Sequence, residues 1–252
     1  MREILSDLVA EQQSLDQFLQ RVAIRDWDRP TPAEGWSIRD TVSHLATFEE
    51  YAYNALAEGG SRRAEADAYA TDEAFTEAGV LPGRAMRAQD VIEWWRGARA
   101  KVIEELSKSK PNQRVPWFKT DMSAKTFATA RLMETWAHGL DIYESLAEEC
   151  EDTLRLRHIA WLGWRSLPYA FELAGEEYTE PIRIEVLGPQ WSKWVFGPED
   201  SSQVIKGQAG EWCRVAVQRM DPADAESLKA QGEVAEMALR VARAYMLSLI
   251  HI

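Results

Sequence analysis

The chain has 252 residues, 46% hydrophobic and 28% charged, with a formal net charge of −12, enough for one large domain or two modest ones with a sizeable core. So acidic a surface repels phosphate backbones and anionic lipid, and no run of about 18 apolar residues occurs, so nucleic acid, membrane surfaces and a bilayer span are all excluded as expectations. Two cysteines, Cys150 and Cys213, are too few and too far apart for a disulfide framework, and a reducing cytoplasm is the expected location.

The first expected helix covers residues 2–24, where Ile4, Leu8, Leu15, Phe18, Leu19 and Val22 recur near the helical period. Its opening, MREILSDLVAEQQSLDQFL, is amphipathic and acidic, unlike a secretory signal. Pro30, Pro32 and Gly35 end it in a loop. Ser37 has the place of an N-cap, with Asp40 completing a capping box, and the helix it opens is expected to reach Leu56. Residues 58–86 are Gly- and Ala-rich, charged and weakly periodic, and predict a loop with a short helical piece. A third helix is expected over 88–107, before Pro111. Val115–Ser123, with Pro116, Trp117 and Phe118, reads as extended. A fourth helix covers 124–149. A fifth covers 153–173 and carries Trp161, Leu162, Trp164 and Leu167.

The pattern changes after Gly175. Ile182, Ile184 and Val186 alternate with Arg183 and Glu185, the mark of a half-buried strand. Strands are also expected at 191–196 and 202–206, with a short one at 226–230, and helices at 208–218 and 233–247. Trp191 and Trp194 are three apart on a strand, hence on opposite faces, so at least one is expected to be exposed. The boundary is placed near 175–180. The expected architecture is a two-domain α+β protein: a four-helix bundle over 1–175, then a small α+β domain over 176–252. No internal repeat occurs, and no exposed heptad seam predicts an oligomeric state.

The chemistry concentrates in the fourth helix. Glu134 and His138 are four residues apart and leave one face of a helix, so both reach one small cation. Arg131, Glu134, His138, Asp141 and Ser145 form a polar stripe on a helix that is otherwise apolar around most of its circumference. Such a stripe suits either a solvated face or an internal polar site. His44, in the second helix, shares its side with Thr41, Phe48, Tyr51 and Ala55, a setting for a core histidine or a ligand. Of four histidines, two lie mid-helix on faces suited to a bundle interior. Two imidazoles and a carboxylate leave a coordination position free, which is how a catalytic metal site is built. His158, beside Arg155 and Arg157, has no acidic partner at ligand spacing and reads as structural.

The words around these residues resemble a known family. TPAEGWSIRDTVSHLATFEEYA resembles the first signature of the DinB-like metal-binding bundle, and VPWFKTDMSAKTFATARLMETWAHGLDIYESL resembles the second. The Glu-x-x-x-His form resembles the mycothiol-dependent maleylpyruvate isomerase branch, in which a sterol-carrier-like α+β module follows the bundle. The chain ends ARAYMLSLIHI, where relatives usually continue into a Gly/Pro-rich tail, and His251 is given no role.

The resemblance implies that His44, Glu134 and His138 are metal ligands and that Asp141 is an acid/base group or a support for His138. It implies a divalent cation, with Zn²⁺ best suited to three N/O ligands plus water, while Ni²⁺ and Fe²⁺ stay open. It also implies a low-molecular-weight thiol, mycothiol, as cosubstrate and a small electrophile as substrate. The thiolate would add to a cis double bond, the bond rotate, and elimination return the trans isomer. Without elimination the same chemistry makes an S-transferase. An anionic substrate would need local positive charge. Arg131 lies on the ligand stripe, Arg214 and Arg219 lie in the second domain, and Arg219 is the choice for a catalytic group reaching over from there. The competing class is a non-catalytic protein whose bundle holds metal for structure and whose α+β domain binds a ligand or partner.

Overall fold

The computed structural model describes residues 1–60, 63–118 and 121–244. His251 and the end of the last expected helix lie outside them. Two compact units emerge, Met1–Cys150 and a second from Glu151 onward.

The first unit is helical. In chain order it contains α1 (Arg2–Leu19), a 3-10 turn (Ile24–Asp26), α2 (Ile38–Ala57), α3 (Arg63–Ala66), α4 (Asp72–Arg84), α5 (Ala88–Lys108), the short hairpin β1 (Arg114–Val115) and β2 (Met122–Ser123), and α6 (Ala124–Ser145). Helices α1, α6, α2 and α5 pack in a ring, each against the next, and α4 lies on α2. This is the expected four-helix bundle. Phe18, Ile38, Val42, Ile92, Trp95 and Ile142 are among the residues that fill its interior.

Local chemistry sets the boundaries. Ser37 and Asp40 form the capping box at the start of α2, Ser37 Oγ accepting from the Asp40 amide at 3.2 Å and Asp40 Oδ2 from the Ser37 amide at 2.9 Å. Helix α1 stops at Leu19, short of Val22, and the chain turns extended at Ala23. Helix α6 stops at Ser145 rather than 149, because Ala147 takes a left-handed conformation and the Glu148 amide reaches back to the Tyr143 carbonyl at 3.0 Å.

The short helical piece expected within a loop over 58–86 is longer than that reading gave, with α4 running for 13 residues. Gly79 and Gly83 face α2 at close range: a Cβ on Gly83 would lie 2.5 Å from Ser43, and one on Gly79 would lie 3.2 Å from Thr47. The two hydroxyls bond the α4 backbone, Ser43 Oγ donating to the Val80 carbonyl at 2.9 Å and Thr47 Oγ1 to the Gly79 carbonyl at 2.6 Å. These bonds support a turn that Pro82 interrupts. Glycines that weaken a helix in sequence are here what lets it dock.

The second unit contains α7 (Leu156–Arg165), α8 (Leu167–Ala174), β3 (Ile182–Leu187), a 3-10 turn (Pro189–Trp191), β4 (Lys193–Phe196), β5 (Gln203–Gln208), α9 (Ala209–Ala216), β6 (Lys229–Gln231) and α10 (Glu233–Val241). The sheet order is β4-β3-β5-β6, with β3 and β5 parallel and the other pairs antiparallel. Ile182, Ile184 and Val186 are buried, as the alternation requires.

The expected boundary near 175–180 is therefore too late. Helices α7 and α8 belong with the sheet, because α7 packs on α9: the Trp212 indole donates to the Ala160 carbonyl at 3.1 Å, and Gly163 admits Ala216 at close range. The single helix expected over 153–173 breaks at Ser166, ahead of Pro168. Trp194 is buried and Trp191 is 88% exposed, but Trp191 lies in the turn before β4 and not on a strand. No helix among the described residues is long and apolar enough to cross a membrane.

Candidate metal centre

Helix α6 is buried around most of its circumference, so its polar stripe faces protein rather than water. Arg131, His138 and Asp141 are all buried, and the Glu134 side chain is 12% exposed. Helix α2 brings His44 against them at 0% exposure. The two imidazole rings meet edge to face with centroids 4.5 Å apart. Glu134 Oε2 lies 3.4 Å from His138 Nε2 and 4.0 Å from His44 Nε2. One donor atom from each of the three residues lies within 4.8 Å of the others. Bonds of about 2.0–2.2 Å at tetrahedral angles put donors about 3.4 Å apart, so a small contraction suffices to hold a divalent cation.

The state of each donor fits that use. Neither ring nitrogen of His44 has a hydrogen-bond partner among the described residues, an expensive condition for a buried imidazole unless something else takes its lone pair. Burial, reinforced by the neighbouring His138, pushes the His44 pKa down to about 4, so the ring is neutral and able to donate at pH 7. His138 Nδ1 is 3.2 Å from Asp141 Oδ2, which fixes the ring and turns Nε2 toward Glu134. Burial pulls the His138 pKa down, but Asp141 and Glu134 outweigh it and the result is raised. Burial likewise opposes ionisation of Glu134, yet His138, His44 and Arg131 together hold its carboxyl well below the usual range. The centre is thus a neutral imidazole, an oriented imidazole and a firm carboxylate.

Aromatic rings wall it. Trp36 lies 5.0 Å from the His44 ring and 6.2 Å from the His138 ring, between centroids. Phe48 lies 4.3 Å from His44 and packs on Phe118. The Trp36 indole donates to Glu77 Oε2 on α4 at 3.0 Å, and Arg84 joins Glu77 to Asp40 on α2. Helix α4 thereby fixes one wall of the centre.

Residues 8–143 match the family model described as the mycothiol maleylpyruvate isomerase N-terminal domain. The chain belongs to that family. It is also 35% identical over 243 residues to the uncharacterized proteins MT0041 and Rv0036c of Mycobacterium tuberculosis, covering 96% of this chain and 94% of each relative. Two solved structures share the fold of this family member: the mycothiol-dependent maleylpyruvate isomerase and a histidine-to-alanine mutant of it. Their TM-scores are 0.60 and 0.59 at 15% and 14% identity, covering 91% of this chain and 92% of theirs.

His44, Glu134, His138 and Asp141 come together as the sequence pattern implies. Arg219 belongs to the second unit, just past α9, where its Nη1 donates to the Val217 carbonyl at 3.1 Å. Arg214 pairs with Asp152 at 2.8 Å within that unit. Sequence reasoning assigned no role to Trp36 or to Glu49. Trp36 left one signal, its place directly before the N-cap of α2. Glu49 left none, because its burial beside Arg131 depends on how α2 and α6 pack.

Proposed function

We propose that this protein binds one divalent cation, Zn²⁺ by preference, at His44, Glu134 and His138, and uses it in a thiol-dependent isomerase or S-transferase reaction on a small electrophile. The observation that carries this reading is the cluster of three donors around one point, with the His44 ring buried and its nitrogens without hydrogen-bond partners among the described residues. Three N/O donors suit a catalytic site, since a fourth position is left for substrate. A cation bound there supplies the acidity that lets a thiol or water lose its proton at neutral pH.

The chain's own groups do the rest. Asp141 orients His138 and is the nearest carboxylate to hold a proton at its Nδ1. Trp36, Phe48 and Phe118 keep bulk water from the centre, which prolongs the life of a thiolate. The family name supports mycothiol as the thiol. Addition of the thiolate to a cis double bond, rotation and elimination give isomerisation. Addition followed by return of the thiol's proton to the adjacent carbon, without elimination, gives S-transfer.

The deep burial of both histidines favours a second reading, a metal held for structure in a ligand-binding protein. Metal analysis of the purified protein, followed by turnover of electrophiles with mycothiol with and without chelator, separates the two. The proposed reading requires metal and chelator-sensitive, thiol-dependent turnover. Metal without turnover across a panel of electrophiles supports the second.

A further inference from the structure

The two oxygens of Glu134 have different surroundings. Oε2 is the one nearest the histidines, 3.4 Å from His138 Nε2 and 4.0 Å from His44 Nε2. Oε1 meets Arg131, one turn earlier on α6, at 3.7 Å from its Nη2. Arg131 is only 2% exposed, and its guanidinium lies 5.3 Å from the Trp117 ring centroid. Its Nε has no hydrogen-bond partner among the described residues. Burying a guanidinium with so few bonds is costly, and a neighbouring anion offsets the cost.

The consequence lies in how a carboxylate binds metal. It can offer one oxygen or both. With two imidazole nitrogens, one oxygen makes three donors and leaves a fourth position open. A second oxygen would fill that position. An oxygen drawn toward a buried guanidinium, 3.7 Å away here, is held back from filling it.

We propose that Arg131 is a positioning residue that confines Glu134 to one-oxygen coordination, and so keeps a site on the cation open to thiol or water. The inference rests on the metal reading above. Another buried carboxyl near Arg131 is Glu49 on α2, neither of whose oxygens has a hydrogen-bond partner among the described residues. Burial opposes its ionisation, and Arg131 is the strongest of the charges that act the other way. Glu49 is the natural control, since it shares Arg131 without belonging to the triad.

Cobalt(II) reads coordination directly. Wild-type protein loaded with cobalt is expected to show the intense visible bands of a four-coordinate ion and, on adding 2-mercaptoethanol, a sulfur-to-cobalt charge-transfer band. Arg131→Met is expected to take up cobalt and lose most of the charge-transfer band, because the second Glu134 oxygen then holds the position the thiol would take. Spectra in Arg131→Met that match the wild type overturn the inference. Glu49→Gln is expected to keep the wild-type spectra; if it instead gives those expected of Arg131→Met, the positioning role passes to Glu49 and the inference fails. A crystal structure of cobalt-loaded wild-type protein needs no substitution. Glu134 bonded through Oε2 alone, with Oε1 on Arg131, supports the inference, and both oxygens on the ion overturn it. A folded protein that takes up no cobalt overturns the metal reading and this inference with it. Cobalt taken up with no dependence on Arg131 overturns this inference alone.

Discussion

Asp141 Oδ2 lies 3.2 Å from His138 Nδ1, both side chains buried, one turn apart on α6. This carboxylate selects the ring tautomer that leaves Nε2 as the donor and makes that nitrogen more basic. Asp141→Ala should therefore weaken metal binding by about 10–100-fold while all three ligands remain. Competition against a coloured chelator measures the change. Unaltered affinity would deny Asp141 its supporting role.

Metal uptake should release protons unequally from the two histidines. Burial and His138 hold His44 near a pKa of about 4, so it carries no proton to lose at neutral pH. His138 is raised despite burial, by Asp141 and Glu134, and must give up its proton. Affinity should thus climb with pH until His138 deprotonates and then level off. Calorimetry in buffers of different ionisation enthalpy is expected to find about one proton released per cation near pH 6.5. Release of about two would mean that His44 is protonated in the metal-free protein.

Glu49 should tilt the stability of the metal-free protein. Burial pushes its pKa up from 4.5 to about 7, against the pull of Arg131. Below 4.5 the carboxyl is protonated in folded and unfolded chains alike, so it costs nothing. Between 4.5 and about 7 the folded chain keeps a proton that the unfolded chain has released, so stability falls as pH rises. Above that window the cost is complete, on the order of 3 kcal/mol. Glu49→Gln should be more stable relative to wild type at pH 8 than at pH 5 in urea melts. An equal difference at both pH values would show that Glu49 carries no such cost.

The docking of α4 is testable at Gly83. A Cβ there would meet Ser43 Cβ and Oγ at 2.5 Å, and the Gly83 amide donates to that same Oγ at 3.2 Å. Gly83→Ala should destabilise the fold by about 1–3 kcal/mol through overpacking, although alanine is the better helix former. Thermal denaturation gives the sign, and a higher melting temperature would mean that α4 is free to move away.

Helix α2 was legible because it states its own start, Ser37 with Asp40, α5 because its segment runs up to Pro111, and α6 because a narrow polar stripe marks an otherwise apolar helix. Strand β3 was legible from its alternation. Helix α4 was legible only as a short helical piece, since Gly79, Pro82 and Gly83 look like loop residues until the hydroxyls of Ser43 and Thr47 are seen against them. The boundary was misplaced because α7 has an apolar face like those of the bundle, and nothing local says that Trp212 and Ala216 cover it. At the centre, Glu134 and His138 stood out by their spacing on one helix face, while the choice of His44 as third donor came from the resemblance to the DinB-like signatures. The walls and the burial of Glu49 could not be read there, because they arise where helices distant in sequence meet.

Metal content per chain tests the central claim most directly. Elemental analysis of wild-type protein after exposure to Zn²⁺ and gel filtration is expected to find about one ion per chain, with most of it lost in His44→Ala, Glu134→Ala and His138→Ala. Folded wild-type protein that retains no ion, or variants that retain as much as the wild type, would contradict the account.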